Sequence, residues 1–437
     1  MSKSFTLRYL IIFILAAAGP AAVVCPPTAL ADGSGNDTYE SIPFFEQEIS
    51  IQGGPVRFTL SRENALETRI EDLDFYLRTG CRLYLDGVHL RQDKNNLDEN
   101  NIGLRTFMIE ADGTYGRLWR FRLSLGGLTQ GGRFDGSQVF IDEAFIAYPT
   151  GRLRWVLGQQ TEPFSLENDM SGLATTFMER GLPNALTPGN NLGLSLSAIP
   201  GSWFLETGVF GRDLAGSRDV SSQGLGWSAR VAFLPEPSPK KVLHLGMSLS
   251  WRGFFDLTAD NQTFFRSRPE VGLTDVRYVD TGNLPGIDRI TRFGLEGAFL
   301  AGPFSIQAEY IRTFLTRSAS YGDLAFEGWY VYVSWFPFGG QRKYLPSRAL
   351  FTYPELRSSW GALEAAVRYS FLNLNDGSVQ GGQERNVTLG LNWYLTPKLR
   401  IMANYVIVVN DQYADGNGSL AGNDNPHIFQ MRFQWKF

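Results

Sequence analysis

The chain has 437 residues, with 40 Lys or Arg against 44 Asp or Glu, 14% aromatic residues and 47 glycines. A formal charge of −4 gives no basic face for nucleic acid. Two cysteines, one of them at position 25, allow no disulfide framework or thiolate metal site. His89, His244 and His427 lie far apart without ligand-like spacing, so neither a metal nor any other cofactor is implied.

Residues 1–31 read as an export signal. Lys3 and Arg8 supply a positive start, an apolar core follows, and Ala29-Leu30-Ala31 is a small-x-small cleavage site. Cleavage near Ala31 removes Cys25 and leaves Cys81, a small strand residue, as the one remaining cysteine. It also takes the formal charge from −4 to about −6, since Lys3 and Arg8 leave. Residues 32–74 read as a periplasmic lead-in, with a short strand over 56–60 and a helical turn or two within 63–72.

From 75 to the end, period-two alternation recurs. Candidate strands lie near 75–86, 103–111, 117–128, 138–148, 152–159, 191–199, 203–212, 225–234, 242–253, 291–299, 304–314, 327–336, 358–371, 385–395, 399–409 and 427–437. Most approach the roughly 9–11 residues of a tilted membrane strand. Faces are mixed in 103–111 and 138–148, so the register there stays open. The connections alternate between tight turns (111–116, 149–151, 200–202, 301–303, 396–398) and long polar loops (88–102, 160–190, 254–290, 410–426). That asymmetry is characteristic of outer-membrane barrels, whose periplasmic turns are short and external loops long. The connection 337–357 breaks it, being long on the short-turn side.

The fold expected is therefore all-β: a sixteen-stranded antiparallel transmembrane β-barrel over 75–437, with lipid outside and a water-filled lumen. In the last strand Phe429, Met431, Phe433, Trp435 and Phe437 share one face, and Gln430, Arg432, Gln434 and Lys436 the other. Trp329-Tyr330, Trp393-Tyr394 and Trp435 sit where an interfacial girdle belongs.

Inward faces carry Arg78, Arg82, Arg120, Arg122, Arg230, Arg252, Arg292, Arg368, Arg400, Arg432 and Lys436, against Asp86, Glu206, Glu296, Glu309 and Glu364. Only seven of the 40 basic residues are Lys. Arg stays charged and offers a planar fork that fits phosphate or carboxylate. A basic lumen favours anions, unless those arginines are paired with acids across the pore.

Several segments carry a resemblance. Phe140-Ile141-Asp142-Glu143-Ala144, Gly158-Gln159 with Glu162-Pro163-Phe164-Ser165-Leu166-Glu167, Phe177-Met178-Glu179-Arg180, Gly294-Leu295-Glu296-Gly297-Ala298 and Leu389-Gly390-Leu391-Asn392-Trp393-Tyr394 recur in order and spacing. From about Gly80 to Phe437 the chain resembles the phosphate-selective porins O and P. The resemblance implies a homotrimer in the outer membrane of a Gram-negative bacterium, small inorganic anions as solute, and an inward-folded constriction loop within 160–190. It implies an external arginine ladder with Arg266 and Arg268, a constriction of Arg82, Arg105, Asp142 and Arg180, and an inner vestibule where Arg78 and Arg120 replace lysines. Three departures remove positive charge: Glu270 replaces a ladder arginine, Thr106 the second of a pair, and Asn168 a lysine of the inward loop. Asp142 is expected to help release a bound anion.

The function expected is an anion-preferring channel for phosphate or polyphosphate, or alternatively a broad, weakly selective porin. An enzyme would need a nucleophile beside a base; His244 lies near Ser248 and Ser250, with no orienting third group evident. A purely structural barrel is the remaining alternative.

Overall fold

The computed structural model describes residues 49–437 apart from 54–55, 61–65, 96–97, 117, 131–132, 215–223, 255–260 and 319. The expected signal, 1–31, and the first part of the lead-in lie outside the described residues. Sixteen antiparallel strands, labelled in chain order, close one barrel: β1 (Phe75–Arg91), β2 (Glu99–Tyr115), β3 (Trp119–Gln130), β4 (Arg133–Thr150), β5 (Leu153–Thr161), β6 (Asn190–Ala198), β7 (Trp203–Phe210), β8 (Leu225–Phe233), β9 (Lys241–Gly253), β10 (Ile287–Ala301), β11 (Phe304–Arg317), β12 (Leu324–Phe338), β13 (Ala362–Asp376), β14 (Val379–Thr396), β15 (Leu399–Asn410) and β16 (His427–Lys436). Each pairs with its chain neighbour, and β16 closes on β1 from His427↔Arg91 to Lys436↔Arg82. The terminal residue takes part, Phe437 and Cys81 exchanging backbone hydrogen bonds of 2.8 and 3.0 Å. Closure leaves no edge, which lipid requires because it cannot satisfy backbone groups.

Side chains are inverted relative to a water-soluble protein. Along β16, Ile428, Gln430, Arg432 and Gln434 are buried inside, whereas Phe429, Met431, Phe433 and Trp435 are exposed on the outer face. Exposed aromatics gather at the short-turn end: Tyr115, Trp119, Trp155, Trp203, Phe304, Trp335, Trp393 and Trp435. Of the Trp-Tyr pairs expected in this girdle, only the tryptophans face outward. Tyr330 and Tyr394 point inward and donate to Glu309 (2.5 Å) and Glu364 (2.7 Å), as strand alternation requires of adjacent residues.

Strands exceed their expected lengths at the long-loop end, where β13 and β14 zip together as far as Asp376↔Val379. Leu372 and Leu374 on that extension pack inward with Phe254, Phe265, Tyr278 and Phe326. The anomalous connection after β12 is itself a hairpin, Gly340–Leu345 paired with Leu350–Leu356. Before β1, strand Val56–Leu60 forms as expected. The helical turn expected within 63–72 is instead strand Leu66–Ile70 followed by a 3-10 turn, Glu71–Leu73. The reason is the part of β1 reaching past the end of β16, which offers backbone partners from Leu66↔Thr79 to Ile70↔Phe75.

Gly158 in β5 adopts φ 136°, and a Cβ there would overlap the Ala144 carbonyl on β4. Gly158→Ala is expected to destabilise the barrel by roughly 1–3 kcal/mol. On a heat-modifiability gel the folded band should therefore convert at a lower temperature than in the wild type; an unchanged temperature contradicts the strain.

Candidate functional site

The connection 162–189 folds into the barrel and is held there along its length. Ser165 caps a single turn, Leu166–Asp169, by accepting from Asn168 N (3.1 Å). The turn's amides at Leu166 and Glu167 donate to the Glu309 carboxylate of β11 at 3.0 and 2.7 Å. Further on, wall arginines donate to loop carbonyls. Arg400 reaches Thr175 O (2.8 Å) and Thr176 O (3.1 Å), Arg368 reaches Glu179 O (3.1 Å), and Arg432 reaches Met178 O (2.5 Å). Asn392 donates to Thr176 O at 2.8 Å, and Ser370 accepts from Leu182 N at 2.9 Å. Arg230 pairs with Asp169 (3.3 Å) and Glu296 (2.9 Å). A buried guanidinium cannot shed its proton, so each of these needs acceptors; the loop backbone supplies them to Arg368, Arg400 and Arg432, and carboxylates supply them to Arg230.

The loop is thus fastened to β8–β16, and the channel runs along the opposite wall. Its cavity, about 800 Å³, is lined by Arg82, Arg105, Asp142, Arg180, Arg266 and Arg268 among others. The six residues carried over for the constriction and the external ladder therefore meet in one space.

Two β-bulges explain why alternation could not be read in β2 and β4. Register passes from Tyr84↔Thr106 to Leu85↔Leu104, leaving Arg105 as an extra residue, so Arg105 and Thr106 both line the cavity. It passes from Ser124↔Glu143 to Leu125↔Ile141, leaving Asp142 extra, and both Asp142 and Glu143 line the cavity. Bulges commonly re-aim a side chain in this way. The Gln159 amide donates to Ile141 O at the second bulge (2.5 Å), and Asn190 holds the Asp142 carboxylate at 2.9 Å.

At the narrow level Arg105 makes a bidentate pair with Glu179 (3.0 and 2.9 Å). Glu179 also accepts from Arg432 (2.7 Å), itself bidentate with Asp86 (2.8 and 2.7 Å). Gly272 of the outer loop abuts Arg105 and Glu179 so closely that a Cβ there would overlap both. Arg180 is oriented by backbone alone, donating to Glu167 O (3.1 Å), Asn168 O (3.3 Å) and Met170 O (2.9 Å).

Toward the outer mouth, residues 261–286 turn inward through the short pair Arg266–Ser267 and Val279–Asp280. Arg266 stacks over Phe264 (4.2 Å), and Arg268 bonds Asp275 (3.2 Å). Arg277, not foreseen from sequence, joins them. Partial burial and the neighbouring Arg268 and Arg266 hold its guanidinium below the ordinary arginine value. Glu270, the departure in the ladder, turns its carboxylate to the wall and pairs with Arg368 (2.6 Å) and Thr388 (2.6 Å).

Toward the inner mouth the expectation of a basic lumen needs correcting. Arg82 pairs with Glu110, and Arg122 with Glu110, Asp112 and Glu143. Those three acids were not counted on inward faces; the β4 bulge hid Glu143, and the mixed faces of β2 hid Glu110 and Asp112. Arg78 pairs with Asp112 (3.1 Å), and Arg120 is exposed; neither lines the main cavity. Arg120 and Arg348 are both within electrostatic reach of Arg154. Arg348, carried into the cavity lining by the hairpin after β12, was also missed. Its sequence signal was the overlong inner connection. Among the described residues, Arg180, Arg266, Arg277 and Arg348 form no ion pair with a carboxylate.

Most of the chain, residues 78–437, matches the family model described as phosphate-selective porin O and P. Porin O of Pseudomonas aeruginosa is 26% identical over 434 residues, covering 90% of this chain and 95% of that protein. An uncharacterized protein of Caulobacter vibrioides is 30% identical over 331 residues, covering 71% of this chain and 66% of its own length. Among solved structures, an anion-selective porin from Comamonas acidovorans superposes with a TM-score of 0.55 at 12% identity, over 83% of this chain and all of that one. The chain belongs to the phosphate-selective porin O and P family. It is a porin of the Gram-negative outer membrane, with its short turns on the periplasmic side.

Glu179→Gln keeps the shape of the narrow level and removes one negative charge beside Arg105 and Arg432. Reversal potentials in a planar bilayer should show the anion-to-cation permeability ratio rising at least about twofold. An unchanged or lower ratio contradicts this reading of the constriction.

Proposed function

We propose that this porin is an anion-preferring channel that passes phosphate-like anions, and that it works as a homotrimer. The observation that carries the reading is the set of cavity-facing guanidiniums, Arg266, Arg277 and Arg180, left without carboxylate partners among the described residues. Arg266, Arg268 and Arg277 gather an anion at the outer mouth, where their joint field raises its local concentration. Arg105 and Arg180 take it through the narrow level by charge-assisted hydrogen bonds. Asp142, placed among them by its bulge, weakens capture and speeds release. On the inner side Arg348, with Arg120, Arg154 and Arg78, draws the anion toward the periplasm. The family's name and the likeness to Porin O support phosphate as the solute class.

The pairing of Arg82 and Arg122 with Glu110, Asp112 and Glu143 favours a second reading, a weakly selective diffusion pore. Removing the outer charge discriminates. In a KCl gradient the wild type should give an anion-directed reversal potential, and millimolar phosphate should reduce its chloride current. An Arg266→Gln, Arg277→Gln double variant should lose most of the phosphate effect and part of the anion preference. A wild-type potential directed to cations, or one indifferent to phosphate in both proteins, supports the weakly selective pore instead.

A further inference from the structure

We propose a second anion site, separate from the channel and buried in the wall at Arg292, that takes one small monovalent anion of the halide class. Four strands bring the residues into one row, with Ser228↔Ser250 pairing β8 to β9, Ser250↔Arg292 pairing β9 to β10, and Arg292↔Thr313 pairing β10 to β11. All four side chains face inward and are buried, with 0, 1, 7 and 0% exposure respectively. Ser228 is committed to Glu162. Arg292 Nε and one terminal nitrogen, Ser250 Oγ and Thr313 Oγ1 have no hydrogen-bond partner among the described residues. Three register neighbours therefore carry buried polar atoms that do not satisfy one another, although each hydroxyl could accept from the guanidinium as well as donate.

The charge balance gives the sign of the ligand. Among the described residues, the charged groups that act on Arg292 are Arg252 and Glu162. Glu162 is already engaged by Arg252, Ser228 and Asn191, the last at 2.6 Å. Among the described residues, two guanidiniums against one carboxylate leave one positive charge in a buried layer. Arginine does not deprotonate in proteins, and an uncompensated buried charge costs several kcal/mol. Water would satisfy the donors without supplying the charge; a monovalent anion does both.

An apolar cover lies beside the row. Phe164 of the inward loop lies against Gly294, one inward position from Arg292, and packs with Ile290, Ile311 and Leu315. These apolar groups cover one side of the layer, and Ser250, Arg292 and Thr313 do not line the channel cavity. A divalent oxyanion would overcompensate the single charge. Because Glu162 and Phe164 begin the inward loop, the anion also ties that loop's first residues to the wall.

The test is crystallography of the detergent-purified full protein with sodium bromide, read at the bromine absorption edge. The expected result is an anomalous peak within hydrogen-bond reach of Arg292, Ser250 and Thr313, lost in Arg292→Met. Wild-type thermal unfolding should shift upward when chloride replaces gluconate at constant ionic strength, and the shift should vanish in Arg292→Met. Should that variant not fold, Thr313→Val removes one donor and should weaken the bromide occupancy and the chloride shift. Bromide confined to the channel arginines, water alone in the layer, or a chloride shift equal in wild type and variants overturns the proposal.

Discussion

A guanidinium shut inside a barrel must find acceptors, and here those acceptors are largely the carbonyls of the protein's own inward loop. Arg368, Arg400 and Arg432 stand on three different strands and meet residues 175–179 of the loop with hydrogen bonds of 2.5–3.1 Å. Each bond satisfies two groups that burial would otherwise penalise, a charged donor and a loop carbonyl outside any ladder. The loop's position along the pore, and hence the shape of the channel, depends on this set of contacts. Glu309 and Arg230 fasten its first turn in the same way.

That constraint divides the arginines into two populations. Those on the strands behind the loop, Arg230, Arg252, Arg368 and Arg400, are buried, and their charge is spent on the fold; Arg432, also buried, holds the loop and borders the cavity as well. Those that line the cavity come mainly from irregular backbone: Arg180 from the loop itself, Arg266, Arg268 and Arg277 from the outer connection, Arg348 from the inner hairpin, and Arg105 from a bulge. Strands supply rigidity and depth; loops and bulges supply placement. Glu270 illustrates the exchange, since a carboxylate placed in the ladder turns away from the path and compensates a wall arginine.

The barrel was legible because lipid imposes a simple rule on every strand. Period-two alternation, tight turns on one side and a terminal aromatic strand all follow from the need to close the sheet and present apolar groups outward. Sixteen strands and their order emerged from that rule. What it could not reveal is where alternation fails. Arg105 and Asp142 sit at bulges that shift parity by one residue, so their neighbourhoods read as mixed faces. Glu110, Asp112 and Glu143, which compensate Arg82 and Arg122, went uncounted for the same reason. Inward arginines also look alike in sequence whether they face solute or a loop backbone, because the loop that decides between them arrives from 162–189. Arg277 and Arg348 lie in connections without periodicity, where sequence alone says nothing of direction.

The division of labour among arginines is tested most directly by single-channel recording of Arg400→Met beside Arg277→Met. Arg277→Met should lower the anion-to-cation permeability ratio while the open level stays steady. Arg400→Met removes the donor to Thr175 and Thr176 and should give a fluctuating conductance, with the permeability ratio changed less. Equal loss of selectivity in both variants, with steady open levels, would show that the wall arginine serves the solute and would contradict the account.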